Sequence, residues 1–124
     1  MSEAMIRFVC MTLVCDGFTC GKCPEDLSRR RGCKRRNHPA PPFAAFCQHL
    51  PDGSRIDRYE CPQSCKTAEH GSLFRTYLHQ RDGRQLYPSL AEYPEGLLKR
   101  LEVVDSEVRA LEAQKAEQAA RARR

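Results

Sequence analysis

The sequence predicts a small α+β domain of short β-hairpins and short helices around cysteine-ligated zinc, with a long C-terminal α-helix. Three observations point there. Of 124 residues only 23 are Leu, Ile, Val or Phe, roughly 19%, below the level of about 20% at which an ordinary apolar core becomes doubtful. There are 8 cysteines, and small chains short of apolar surface are commonly stapled by metal or disulfides. The last third repeats Leu97, Leu101, Val104, Val108 and Leu111 at alternating intervals of four and three, the spacing of a heptad seam.

The elements are justified in order. Ile6 to Val14 is β-branched and aromatic enough for a strand buried on both faces. Pro24, Glu25 and Asp26 suit the first turn of a helix, Arg29 to Arg31 its last turn, and Gly32 the position just past its end. Cys23 then lies at a helix N-terminus, where the dipole favours a thiolate. Three prolines between His38 and Pro42 force a loop. Asp52-Gly53 joins a strand around Phe43 to Leu50 with one around Arg55 to Cys61, and Asp82-Gly83 joins Leu73 to Gln80 with Arg84 to Tyr87. A short helix satisfies Leu73, Phe74, Tyr77 and Leu78 equally well. Pro94 and Glu95 suit the start of the final helix, and Arg121, Arg123 and Arg124 its negative end. The expected division is a cysteine-rich zinc-binding domain with a basic patch over 1–88 and an amphipathic helix over 89–124.

The compartment decides how the cysteines are read. The longest apolar stretch, Phe8 to Cys15, is far short of the about 20 residues of a membrane span and lacks the small-residue cleavage site of a signal peptide. A cytoplasmic chain is expected, with no membrane partner. In a reducing compartment closely spaced cysteines bind metal or perform redox chemistry, whereas a secreted origin implies four disulfides.

Zn²⁺ takes four tetrahedral ligands, and a two-residue gap lets one turn aim both sulfurs at one ion. Cys20 and Cys23 form such a pair. Cys61 and Cys65 form another, with Pro62 starting a helical turn that brings positions four apart onto one face. These four are the expected first site. Cys15, Cys33, Cys47, His38 and His49 are alternates or a second site, and the sequence does not choose among them. Cys10 reads as a small core hydrophobe. His70 and His79 have no cysteine at useful spacing and read as ordinary polar residues.

An iron–sulfur cluster is the rival centre, since cysteine thiolates hold it too. The pentapeptide Cys20-Gly21-Lys22-Cys23-Pro24 resembles bacterial ferredoxins and the WhiB-like regulators of actinobacteria. Beyond it the chain departs from both: its cysteines are too sparse for a ferredoxin, Cys33 is too distant for the WhiB-like pattern, and there is no tryptophan. Cys20 to Cys23 also suits a thiol redox pair, but no βαβ period frames it. The patterns of zinc deaminases, zincins and P-loops are missing, so catalysis is not expected.

The remaining chemical feature is Arg29-Arg30-Arg31-Gly32-Cys33-Lys34-Arg35-Arg36, six cations in eight residues. Eight Lys and Arg against four Asp and Glu give the first fifty residues +4 of the whole-chain +5. Such a cluster, fixed by metal ligands on either side, suits counterion release from nucleic acid. The leading expectation is a small non-enzymatic zinc-binding regulator that contacts nucleic acid through Arg29, Arg30, Arg31, Lys34, Arg35 and Arg36. The alternative is an adaptor or inhibitor of phage or viral accessory type. It would grip a protein partner or a second copy through Leu97, Leu101, Val104, Val108 and Leu111. Against both stands the reading in which that seam packs back on its own chain and completes the core.

Overall fold

The computed structural model describes residues 1–83 and 93–123. In chain order these form α1 (Glu3–Val9), α2 (Met11–Val14), a 3₁₀ turn (Cys20–Lys22), α3 (Glu25–Arg30), a second 3₁₀ turn (Lys34–Arg36), β1 (Phe46–His49), β2 (Arg55–Arg58), α4 (Pro62–Cys65), α5 (Ala68–Arg81) and α6 (Leu97–Ala122). This is a small α+β domain with a two-stranded sheet and a long C-terminal helix.

The expected strand over Ile6–Val14 is helical instead. The Ser2 hydroxyl accepts from the Met5 amide at 3.1 Å, and Glu3 pairs with Arg7 one turn on at 3.1 Å. These are a helix cap and an i,i+4 pair. The uninterrupted burial from Ile6 to Cys10 is as expected, but continuous apolar runs do not discriminate a buried strand from a buried helix. Helix packing around Cys10 overrides the β propensity of the side chains.

The seam of α6 closes the core. Leu101, Val104 and Val108 are buried with Ile6, Val9 and Cys10 of the N-terminal helices and Leu73, Phe74 and Tyr77 of α5; Leu97 and Leu111 pack at its margin. The seam therefore packs back on its own chain. Arg7, itself buried, spans α1 and α6 by pairing with Glu107 at 3.3 Å as well as with Glu3. Burial pushes the Glu107 carboxyl above its usual range, with Arg7 opposing. α6 begins at Leu97, three residues after the expected start at Pro94, because Gly96 sits at φ 80° and Pro94 closes a turn onto the Leu97 amide.

Leu73 to Gln80 lies within α5, not in a hairpin strand. Its partner, Arg84 to Tyr87, and the expected boundary at 88–89 fall outside the described residues. A reciprocal cap holds the start of α5: Thr67 Oγ1 accepts from the His70 amide at 3.3 Å, and His70 Nδ1 accepts from the Thr67 amide at 3.0 Å. The other hairpin forms as expected. Phe46 faces Arg58 and His49 faces Arg55 in antiparallel register, and Asp52 accepts from the amide and hydroxyl of Ser54 in the turn. The hairpin docks on α1 through Gln48, which donates to the Ala4 carbonyl at 2.8 Å and accepts from Arg58 at 2.9 Å. The Phe8 ring meets Phe46 edge-on at 5.8 Å. No described helix is long and apolar enough to cross a membrane.

Two expectations follow. Leu101→Ala should cost about 2–5 kcal/mol in urea unfolding, whereas exposed Lys99→Ala should stay within about 0.5 kcal/mol; equal effects would contradict the packing. His70 supplies a pH dependence. Burial, helped by the N-terminal ammonium, holds its imidazole below the ordinary value, and protonation would place a hydrogen on the Nδ1 that accepts from Thr67. The folded chain therefore binds this proton less well than the unfolded one. The contribution is complete above about pH 6.5 and lost as pH falls through the lower folded value. Between pH 7.5 and 5, His70→Gln, which keeps the cap without titrating, should lose less stability than the parent chain.

Candidate metal centre

Three chain segments bring four cysteines to one place. In the first, Cys20 opens the 3₁₀ turn and Cys23 closes it, the Cys23 amide donating to the Cys20 carbonyl at 3.2 Å. In the second, α3 ends at Arg30, Gly32 adopts φ 65°, and the Cys33 amide turns back to the Ser28 carbonyl at 2.9 Å. In the third, Cys61 is the extended residue before Pro62 opens α4.

Gly32 joins the second segment to the third. A Cβ there would collide with the Tyr59 carbonyl oxygen and crowd Pro41. Only glycine combines the left-handed turn with this approach, and the approach sets Cys33 near Cys61. Lys34 reinforces it, pairing with Glu60 at 2.7 Å.

Cys20, Cys23, Cys33 and Cys61 line one cavity of about 50 Å³, with Arg31, Arg35, Arg36, Ser28 and Ser64 in its wall. Arg35 donates to Cys20 Sγ at 3.5 Å, and Ser64 Oγ donates to Cys33 Sγ at 3.8 Å. Arg36 reaches the Cys20 carbonyl at 3.3 Å and Ser28 Oγ at 3.2 Å. Arg31 donates to the Gly17 carbonyl at 2.7 Å, its guanidinium 4.6 Å from the Phe18 ring centroid. Three of the six cations of the basic run thus brace the cysteine loops from the surface.

The thiols differ in acidity. Burial pushes Cys33 up, but the amides of Arg36 and Arg35, the Ser64 hydroxyl and the Arg36 charge carry it below the ordinary thiol value. Burial leaves Cys61 raised despite the amides of Gln63 and Ser64 and the charge of Arg31.

The expected set of Cys20, Cys23, Cys61 and Cys65 is brought together only in its first three members. Cys65 turns away, donating to Glu60 at 3.3 Å and packing against the helical core. Burial and the Glu60 carboxylate push it up to about 11. The reason is local: Cys61 precedes α4 in an extended conformation, so the rule that helical positions four apart share a face does not apply. Cys33 takes the fourth place on the wall. Its signal in the sequence was its position directly after the helix-ending glycine, inside the basic run.

The other candidates lie apart. His38 Nε2 meets Ser28 Oγ at 3.1 Å, while Cys47 and His49 approach each other at 3.7 Å on β1. Among the described residues, Cys33, His38, Cys47 and His49 do not assemble into a second site. Cys15 lies near Lys115 and Asp16, its thiol raised chiefly by burial. Cys10 is in the core, pushed up to about 12 by burial and Glu107. Among the described residues, no three Cys, His, Asp or Glu side chains converge closely enough to hold one ion.

Thiol reactivity checks this map. A thiol of pKa about 11 is about one part in a thousand ionised at pH 8. In the metal-free chain, iodoacetamide labelling followed by mass spectrometry should modify Cys33 well before Cys65; the reverse order would contradict the arrangement.

Comparison with protein-family models, curated proteins and solved structures finds no match to this chain.

Proposed function

We propose that the protein is a non-enzymatic binding protein in which the four-cysteine cavity holds a metal centre and the cationic surface beside it engages nucleic acid. The observation that carries this reading is the joining of the two features. The arginine run forms part of the cavity wall, so a metal bound by the thiols would fix the geometry of the cations. Zinc is the ion expected from the cysteine spacing, and it would stabilise the fold as well as the surface.

Within the run the roles divide. Arg31, Arg35 and Arg36 contact the cysteine loops and Lys34 pairs with Glu60, while Arg29 and Arg30 stand exposed on α3. Arg29 faces Glu25 across an exposed 3.6 Å pair, weak enough to yield to a phosphate. Beside Arg30, in a shallow cleft with Pro41 and Pro42, stands Phe43, 82% exposed. A bare ring next to a guanidinium is what stacking on an unpaired base requires. The adaptor reading draws less support, because Leu101, Val104 and Val108 are buried within the chain.

The test is the salt dependence of binding to labelled single- and double-stranded oligonucleotides. Reversing Arg29 and Arg30 to Glu spares the arginines that brace the cysteine loops and the Lys34–Glu60 pair. It should lower affinity and reduce the log–log salt slope by about 2, about one for each phosphate contact removed. Phe43→Ala should weaken single-strand binding with little change in that slope. Undiminished binding by the charge-reversed variant, or none by the parent chain, would refute the reading.

A further inference from the structure

We propose that the free edge of β1 is a docking site for an extended peptide, which adds a strand to the hairpin and places one apolar side chain between β1 and α6. Leu50 faces Ser54 across the hairpin, and its amide donates to the Ser54 carbonyl at 2.9 Å. In an antiparallel ladder the alternate residues Gln48 and Phe46 then also turn their amides and carbonyls toward β2. The Ala45 amide reaches the Arg58 carbonyl too, at 2.8 Å, through a bulge at the end of the ladder. Cys47 and His49 turn their amides and carbonyls the other way. Among the described residues the sheet has two strands, so the backbone groups of Cys47 and His49 face outward with no strand to receive them. Such an edge is a template for another chain.

A cavity of about 190 Å³ lies along it. Phe46, Cys47, Gln48 and His49 all border this cavity, and Ala110 and Leu111 of α6 border it as well. Successive side chains of a strand point to opposite faces, so four consecutive residues share one cavity where it follows the strand's edge. Backbone donors and acceptors on one wall and a helix on the other form a slot that fits strand addition.

The lining selects the side chain that enters. Phe8, Met11 and Leu111 supply apolar surface. The two charged groups of the lining, Arg7 and Glu107, pair with each other at 3.3 Å and leave no net charge to hold an ionised side chain. An apolar cavity of about 150 Å³ accepts a benzene-sized molecule, so this one accepts a side chain of the size of Leu, Met or Phe. The neighbouring peptide residues point away from it, toward a face on which Cys47, His49, Arg55 and Asp57 are exposed, and are polar.

The experiment titrates the full chain, labelled with nitrogen-15, with acetylated and amidated peptides Thr-Thr-X-Thr-Thr in which X is Leu, Met, Phe, Gly, Asp or Lys. In the free chain the amides of Cys47 and His49 should exchange hydrogen faster than that of Gln48. Peptides with Leu, Met or Phe should shift the Cys47 and His49 resonances, slow their exchange and bind about tenfold or more tighter than those with Gly, Asp or Lys. N-methylation at one of two successive peptide amides should abolish binding and at the other spare it, because every second amide faces β1. Ala110→Trp, at an exposed helix position, fills the slot and should weaken binding about tenfold or more, with resonances remote from the slot unchanged. His49→Pro removes an outward amide at a place where edge strands tolerate proline and should weaken binding too.

Equal protection of Cys47, Gln48 and His49 in the free chain would overturn the free edge. A panel in which no peptide shifts these resonances at millimolar concentration, or in which Asp or Lys binds as tightly as Leu, would overturn the docking site, as would undiminished binding by Ala110→Trp. Protection of Cys47 and His49 that rises with protein concentration alone would place a second copy of the chain on the edge and overturn the peptide.

Discussion

The structure depends on the packing of the α6 seam against the first helix. Val104 is wholly buried and Val108 nearly so, against Ile6, Val9 and Cys10. A chain with so few large apolar side chains cannot build one core from its N-terminal part and keep a second stripe for a partner. It places both stripes face to face, and α5 fills the remaining side. The Arg7–Glu107 pair crosses the same junction. Burying that pair adds little net stability, since desolvation offsets the attraction, but it penalises any packing that separates the two charges.

The cysteine cavity is built differently. Its walls are loops and single turns, held by a glycine against a carbonyl, two arginines on backbone oxygens and a lysine–glutamate pair. Such a frame has few apolar contacts of its own. The hairpin connects it to the helices, through Gln48 on α1 and through Phe46, which meets Phe8 on one side and Phe18 on the other. A ligand that crosslinks Cys20, Cys23, Cys33 and Cys61 would tie three otherwise lightly held segments together, which is how a centre contributes to folding as well as to chemistry.

Where local punctuation decided the structure, the sequence was readable. Pro24 and Gly32 bracket α3, Asp52-Gly53 places the hairpin turn, and the four-three spacing of the C-terminal leucines and valines marks α6. Where tertiary packing decided, it was not. Ile6 to Val14 has strand-like residues but lies between two helices that bury a helical cylinder. The Asp82-Gly83 signal suggested a hairpin, yet the Thr67–His70 cap commits the preceding residues to α5. Three of the four cavity cysteines could be chosen from spacing. The fourth could not, because the conformation of Cys61 and the approach of Gly32 to Tyr59 are properties of the folded chain.

The junction of Arg7 with Glu107 also sets the order in which the chain can fold as it is made. At about 5–20 residues per second of synthesis, roughly five to twenty seconds separate the two sides of the core. Throughout that interval Ile6, Phe8 and Val9 have no α6 to cover them. The cysteine loops and the hairpin, whose contacts close over tens of residues, can be complete while the N-terminal helix still waits. The early-formed hairpin would then hold α1 in position through Gln48 and Phe46. In such a sequence of events the hairpin and the loops beside it act first as a scaffold for an unfinished chain.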